Sequence, residues 1–397
     1  MKFIFPLPLR YDGTEDRFLQ RDGARFASFL SNHGHIGVKL IVDGGDGYPP
    51  PQSPLLAIAT WDQWCSPAFW KQQAADAILL YGGFDPRLEP VVTAIKASGT
   101  PLALKMDSAN GILPFPKDGL RLLRTGYHSA HQRNGVVRSV MISIGKQAVR
   151  ALGRNTAFLK RYLPMFNWIT AETPFAAANT RAWLLKQNLP KVADRMVVLG
   201  HPVPELFRYD ASSPPKHKRV VAVARDWRNP LKGGKMLAEV LGRFLSVRAD
   251  YTAVAVGGFS EQVRNACLAT RSQLASRVVS EPLMNSMEVA PVYAIADILI
   301  TSSGSEGMPN VATEAACSGC SIVFPPDLLQ LALFSDAGGG TMASRRNASS
   351  MAQALLQEAS AWETGRRNPA SISAMWTSRY HTNKEMAYLA SLFGLTL

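Results

Sequence analysis

No Asp-x-Asp occurs anywhere in the 397 residues, so the usual carboxylate pair for holding a divalent ion against a diphosphate is missing. Nor does any window approach 18 uncharged apolar residues, the length a membrane-crossing helix needs. Cysteine is scarce, with four in the chain, Cys65, Cys267, Cys317 and Cys320. That number gives no disulfide framework, and a reducing cytoplasm is the expected setting. Cys317 and Cys320 form a CxxC without a second pair or a nearby histidine to complete a zinc set, so the reading is small residues packing a helix end. His33, His35, His128 and His131 have no acidic or thiol company at ligand spacing and are read as structural or surface groups. No internal repeat is present. The start, MKFIFPLPLR, is interrupted by Pro6 and Pro8 and reads as a first strand rather than a signal peptide.

Acidic residues are also in short supply, 30 against 43 Lys and Arg, and the imbalance is uneven. Residues 1–200 hold 24 basic and 14 acidic side chains, which is +10 of the chain's +13. Ten basic residues fall between positions 117 and 161, with Asp118 the single acid among them. On a helix, Val137, Val140, Met141, Ile144, Ala148 and Ala151 would share one face, opposite Lys146, Arg150 and Arg154. Together with Arg138 these form a candidate surface for an anionic acceptor, an anionic membrane or nucleic acid. The plainer alternative is a solvated face kept basic for solubility. Trp61, Trp64, Phe69 and Trp70 follow the proline-rich YPPPQSP; they could enter lipid, stack on a sugar or base, or fill a core.

What is present is a regular alternation of strand and helix patterns. Strands are expected at 2–6, 37–42, 77–81, 101–106, 168–171 and 196–199, with helices such as 21–32 and 174–186 between them. Such alternation predicts parallel α/β layers. The pattern resumes from Val220. Between the halves, GHPVPELFRYDASSPPKHK is rich in proline and turn residues and reads as a linker. Domains are expected at 1–200 and 218–375, with 201–217 between them.

The densest chemistry lies in SSGSEGMPNVATEAACSGCSIVFP, residues 302–325. The preceding ADILIT, 296–301, suits a buried parallel strand. Pro309 fits the first position of a helix running to about Ser318, with Gly319 as its stop. The amides of Asn310, Val311 and Ala312 would then face the loop and suit a phosphate. Glu306 stands at the loop and Glu314 within the helix, seven residues between them, placed to accept hydroxyl hydrogen bonds from different parts of one ligand. The alternative is a capped surface helix with two solvated glutamates.

SEGMPNVATEAACSGCSIV resembles the donor-site signature of family 4 retaining glycosyltransferases. VVAVARDWRNPLKGG, residues 220–234, is similar to the strand-Arg and Lys-Gly elements of that family, with Arg225 and Lys232 in the matching places. YTAVAVGG matches the next strand and its glycine turn at Gly257, and the stretch around Pro282 and Leu283 resembles the loop that lies against the nucleotide base. The resemblance covers residues 196–325 well and the rest in outline. It implies the GT-B fold, two Rossmann-like α/β domains facing a central cleft, with a C-terminal helix near 376–397 crossing back to the first domain.

It further implies a sugar moved with retention from a UDP- or GDP-sugar, as co-substrate rather than cofactor, to an acceptor such as a cell-envelope or lipid-linked glycan. Arg225 and Lys232 would hold the diphosphate, Glu314 the ribose and Glu306 the transferred sugar, with Gly307, Met308, Pro309, Asn310 and Val311 lining the donor site. No metal or resident cofactor is expected. In the first domain, Arg21, Asp22 and Gly23 resemble the glycine loop facing the donor phosphates, one usual glycine being Asp22. Asp107, after PLALKM, would stand near the reacting sugar or make a turn bond to Asn110. Rival readings are a DNA-modifying glycosyltransferase gripping phosphates with the basic half, a sugar-nucleotide epimerase or phosphorylase, and a non-catalytic binding protein. The expected location is cytoplasmic, peripheral to the inner face of a membrane.

Overall fold

The computed structural model describes residues 1–19, 22–45, 48–82, 85–106, 112, 154–212, 216–304 and 306–397. Asp107, Arg138, Lys146 and Arg150 lie outside them, as does the side chain of Arg154.

Thirteen strands are present among the described residues, all in parallel sheets. The first sheet contains β1 (Lys2–Arg10), β2 (Ile36–Val42), β3 (Leu56–Ala59), β4 (Ala77–Tyr81), β5 (Leu102–Met106), β6 (Trp168–Ala171) and β7 (Met196–Val198). Their order is β3-β2-β1-β4-β5-β6-β7. The second contains β8 (Arg219–Asp226), β9 (Thr252–Gly258), β10 (Val278–Glu281), β11 (Ile298–Ile300), β12 (Ser321–Phe324) and β13 (Gly340–Met342), ordered β10-β9-β8-β11-β12-β13. Buried on both faces, the strands read as continuous apolar runs rather than alternating ones. In the first sheet the sequence reading missed β3, because LAIA is short and follows the proline-rich PPPQSP.

The chain forms two compact units, Met1–Pro202 with Glu385–Leu397, and Val203–Lys384. In the first, one sheet face packs Val91, Val92 and Ile95 against Leu80 and Leu104, with Trp64 and Trp70 in the same core. Those two tryptophans are fully buried, which settles their role as packing residues, whereas Trp61 is 37% exposed. The opposite face is covered by Phe26 and Leu30 and by Met386, Leu389 and Ala390 of the last helix, Thr382–Leu392. In the second unit, Leu241, Phe244, Met351 and Leu355 fill one face and Tyr293, Ala316, Phe334 and Trp376 the other.

Residues 201–217 are less of a linker than their prolines suggest. His201 and Pro202 are buried in the first unit, while Val203 and Phe207 belong to the core of the second. Val203 pairs with the end of the helix Pro369–Tyr380: its amide donates to Tyr380 O at 2.8 Å, and its carbonyl accepts from Thr382 N at 3.0 Å. The C-terminal stretch expected as one helix from 376 is two, broken at His381, whose extended backbone ends the first. Trp376 stays in the second unit, and the chain joins the first from Glu385.

Candidate functional site

In a doubly wound sheet the strand order reverses at one point, and the loops leaving the carboxyl ends there splay apart to leave room for a ligand. In the second unit that point lies between β8 and β11, the two strands that carry Arg225 and the loop 302–309.

Several local devices hold these loops together. The Ser302 hydroxyl donates to Lys232 O at 2.7 Å, and Gly304 N donates to Leu231 O at 2.6 Å. Gly233 makes this approach possible: its φ is +70°, and a Cβ there would stand 2.4 Å from Ser302 O. Arg346, which sequence reasoning did not find, donates to Ser302 O at 2.9 Å and to Ser303 O, and pairs with Asp327 at 3.3 Å. A guanidinium with five rigid donors can hold two carbonyls and a carboxylate at once, which an ammonium cannot do in the same geometry. Its only trace in sequence is a basic pair at 345–346, far from the loop it holds.

Among the site residues, Lys232 and Glu306 form an ion pair, Nζ to Oε1 2.6 Å, with side chains 27% and 15% exposed. Gln330 Nε2 donates to Glu306 O at 2.7 Å, fixing that residue's backbone. Arg225 is exposed at the end of β8 and makes no hydrogen bond or ion pair with the described residues. Glu314 is 5% exposed, so it is not the solvated glutamate of the plainer reading.

The helix itself is Asn310–Cys317, with Pro309 as its N-cap rather than its first residue. Pro309 has an extended ψ of 122°, and its carbonyl accepts from Ala312 N at 2.9 Å. This corrects the expected trio of open amides. Ala312 is engaged, and Asn310 and Val311 carry the amides that lack a helical acceptor. At the other end, Gly319 has φ +80°, its amide reaches Ala316 O, and Cys320 N reaches Ala315 O, a two-bond C-terminal cap. Cys317 and Cys320 are buried free thiols, and Cys320 Sγ donates to Tyr293 O and Ala296 O at 3.2 and 3.1 Å. Burial pushes both thiols up, away from the thiolate form.

Met308 is buried in the unit's core, and Gly307 is part of the turn before it. Gly257 has φ +134° and lies so close to β8 that a Cβ would stand 1.7 Å from Ala224 O. Its amide donates to Pro282 O at 3.2 Å, and the adjoining Leu283 is 57% exposed. Around the β8/β11 switch point the described residues thus offer one exposed cation, one cation paired with a carboxylate and two amides without a helical acceptor.

Residues 217–359 match the family model described as "Glycosyl transferases group 1". This segment is similar to group 1 glycosyltransferase domains. The whole chain has the GT-B fold, as the sequence led one to expect. A glycosyltransferase from Rickettsia africae ESF-5 superposes with a TM-score of 0.63 at 13% identity, covering 99% of this chain and 97% of that one. Alr3699/HepE from Anabaena, solved in complex with UDP, gives 0.61 at 14% identity over 99% and 100% of the two chains. WaaG, a glycosyltransferase involved in lipopolysaccharide biosynthesis, gives 0.60 at 13% over 98% and 99%. A search of curated protein sequences found no match.

The first unit of this glycosyltransferase-like chain departs from expectation at Gly23. The residue lies inside the helix Asp22–Asn32, buried, with space for a Cβ restricted by Phe5 at 3.1 Å and Tyr81 at 3.3 Å. Close packing of helix on strand accounts for a glycine at this position. Asp22, in the place of the usual glycine, belongs to a buried cluster that no sequence motif announced. His201 Nδ1 bonds to Asp22 Oδ2, and Nε2 lies 3.2 Å from Glu172 Oε1. Lys105 Nζ donates to Gly200 O at 2.9 Å and to Leu199 O, and Glu385 Oε2 accepts from Gly200 N at 3.1 Å.

Burial opposes charge on His201, but the two carboxylates outweigh it and raise the imidazole to about 10. Burial would raise Asp22 as well, yet His201, Lys105 and Arg25 hold it far below the usual carboxylate range. Glu385 is raised to about 7, chiefly by burial, against the pull of Lys105, the Gly200 amide and His201. A lysine inside LALKM and a glutamate directly after WITA were the available signals, since charge at an apolar strand's end demands a partner.

Proposed function

We propose that the chain moves a glycosyl group, with retention, from a UDP- or GDP-sugar to an acceptor hydroxyl. The observation that carries this reading is the Lys232–Glu306 contact beside the β8/β11 switch point, with Arg225 near the end of β8 and the amides of Asn310 and Val311 at the start of the helix after β11. Cations and amides suit a diphosphate, and a carboxylate beside them suits sugar hydroxyls. The Anabaena protein's UDP and UDP-glucose complexes support a nucleotide-sugar donor of this kind.

In this reading the bond from the anomeric carbon to the leaving phosphate oxygen breaks, and charge gathers on the diphosphate. Arg225 and Lys232 stabilise it, the largest catalytic contribution available without a metal. The acceptor oxygen bonds to the anomeric carbon on the same face, and its proton passes to the leaving phosphate oxygen. Glu306 holds the transferred sugar and Glu314 the ribose; Gly257, Leu283, Gly307 and Met308 shape the donor site. Asp107 would position the donor sugar or the acceptor. The acceptor is anionic or membrane-borne, met by the basic surface of Arg138, Lys146, Arg150 and Arg154.

Calorimetric titration with UDP and GDP tests the site. Arg225→Ala and Lys232→Ala should each weaken binding of whichever nucleotide the parent takes, and unchanged affinity in both would remove the assignment. Glu306→Gln and Glu314→Gln should impair transfer with the fold intact.

A further inference from the structure

The two cations of the proposed donor site are not equivalent before a ligand arrives, because Arg225 has no partner among the described residues and Lys232 is already neutralised by Glu306 at 2.6 Å. We infer that the Lys232–Glu306 pair makes the site discriminate between an intact nucleotide-sugar and the free nucleoside diphosphate, in favour of the former. The inference rests on the proposed donor site and concerns its selectivity.

A diphosphate that recruits Lys232 takes the ammonium away from Glu306. The carboxylate, 15% exposed, is then left with neither its cation nor full hydration, beside a newly bound anion. An intact donor repairs this loss, since the sugar's hydroxyls donate to the carboxylate that the phosphates have deprived of its ammonium. A free nucleoside diphosphate has no such donors. It must either strand Glu306 or leave Lys232 in its pair and be held by Arg225 and the amides of Asn310 and Val311. Both outcomes weaken it relative to the donor.

The consequence is directional. Once the sugar has been transferred, the remaining diphosphate loses the hydroxyls that kept Glu306 satisfied, Lys232 returns to Glu306, and product leaves without competing strongly with fresh donor. The backbone favours this return, because Ser302 Oγ on Lys232 O and Gln330 Nε2 on Glu306 O hold both main chains in register. The pair is therefore a fixed element of the site that a ligand must displace.

Equilibrium titrations of the full chain with UDP, UDP-glucose, GDP and GDP-mannose test this. In the parent, the nucleotide-sugar of the pair that binds should be held about tenfold or more tighter than its diphosphate, the size of one charge-assisted hydrogen bond. Glu306→Gln, which releases Lys232 and keeps the side chain's shape, should tighten the diphosphate about tenfold and leave the nucleotide-sugar unchanged or weaker. Lys232→Met should cost the diphosphate less than Arg225→Met does, because Arg225 is the unpaired cation, and this holds whether or not Glu306→Gln folds. Diphosphate affinity unchanged or lowered in a folded Glu306→Gln, or Lys232→Met as damaging as Arg225→Met, overturns the inference while leaving the donor site standing. A parent that binds none of the four ligands overturns both.

Discussion

His201 is hydrogen-bonded through Nδ1 to the carboxylate of Asp22, 179 positions earlier in the chain. Residue 22 begins the first long helix and residue 201 is the second residue of the GHP turn after β7, so the bond ties the start of the first unit to the point where the chain leaves it. Glu172 on the other ring nitrogen and the nearby Lys105 and Glu385 make the cluster dependent on pH in a definite direction.

His201 and Glu385 hold their protons more tightly in the folded chain than at their ordinary values of 6.5 and 4.5. Each contributes stability that is complete below that ordinary value and is lost as pH rises, through about 7 for Glu385 and about 10 for His201. Asp22 acts in the opposite sense: its contribution is present above its ordinary 3.8 and is lost in stronger acid. Melting temperature should therefore decline from mildly acidic to alkaline pH, and Glu385→Gln should flatten that decline between about pH 4.5 and 7. Equal slopes in parent and variant over that interval would take Glu385 out of the explanation.

Gly257→Ala should destabilise the second unit by on the order of 3 kcal/mol, combining a strained backbone with a clash that β8 cannot relieve locally. The position has φ +134° and no room before Ala224 O. Denaturant unfolding measures the loss, and a change below about 1 kcal/mol would mean that the two strands separate easily.

Arg346→Met should leave the fold intact and loosen the loop 302–304, whose carbonyls the guanidinium holds. Transfer should fall by roughly tenfold to a hundredfold, the effect of one or two charge-assisted hydrogen bonds. Arg346→Lys should recover only part of it, since one ammonium cannot serve both carbonyls and Asp327. Full activity in the methionine variant would show that the loop keeps its form without the arginine.

Transfer should proceed unchanged in the presence of a chelator, because in the proposed mechanism Arg225 and Lys232 supply the charge that stabilises the leaving diphosphate. Strict dependence on an added divalent ion would require a different mechanism.

Replacing Arg138, Lys146, Arg150 and Arg154 with Gln should weaken binding to anionic vesicles by about 1 kcal/mol per residue if the acceptor lies at a membrane. If the target is DNA, the same variant should show a shallower dependence of log affinity on log salt. A parent that binds neither at low salt would leave the basic segment as a solubility feature.

The sequence by itself determined what is local. Strands β4 and β6 fall where the apolar runs placed them, because each needs only a run of apolar residues of strand length. The strand, loop and small-residue helix through 298–317 were legible for the same reason: turn, cap and glycine stop all lie within about two dozen consecutive positions. What only the tertiary structure decided is every relation set by strand order. That β8 lies beside β11 brings Lys232 to Glu306 across 74 positions, and no spacing in the sequence encodes that distance. Likewise β5, β6 and β7 side by side collect Lys105, Glu172 and His201 near Asp22, and the approach of β9 to β8 explains why residue 257 is glycine. Burial is the common physical reason. A charge or a missing side chain is meaningful only once the neighbours that exclude water from it are known, and those neighbours come from remote parts of the chain.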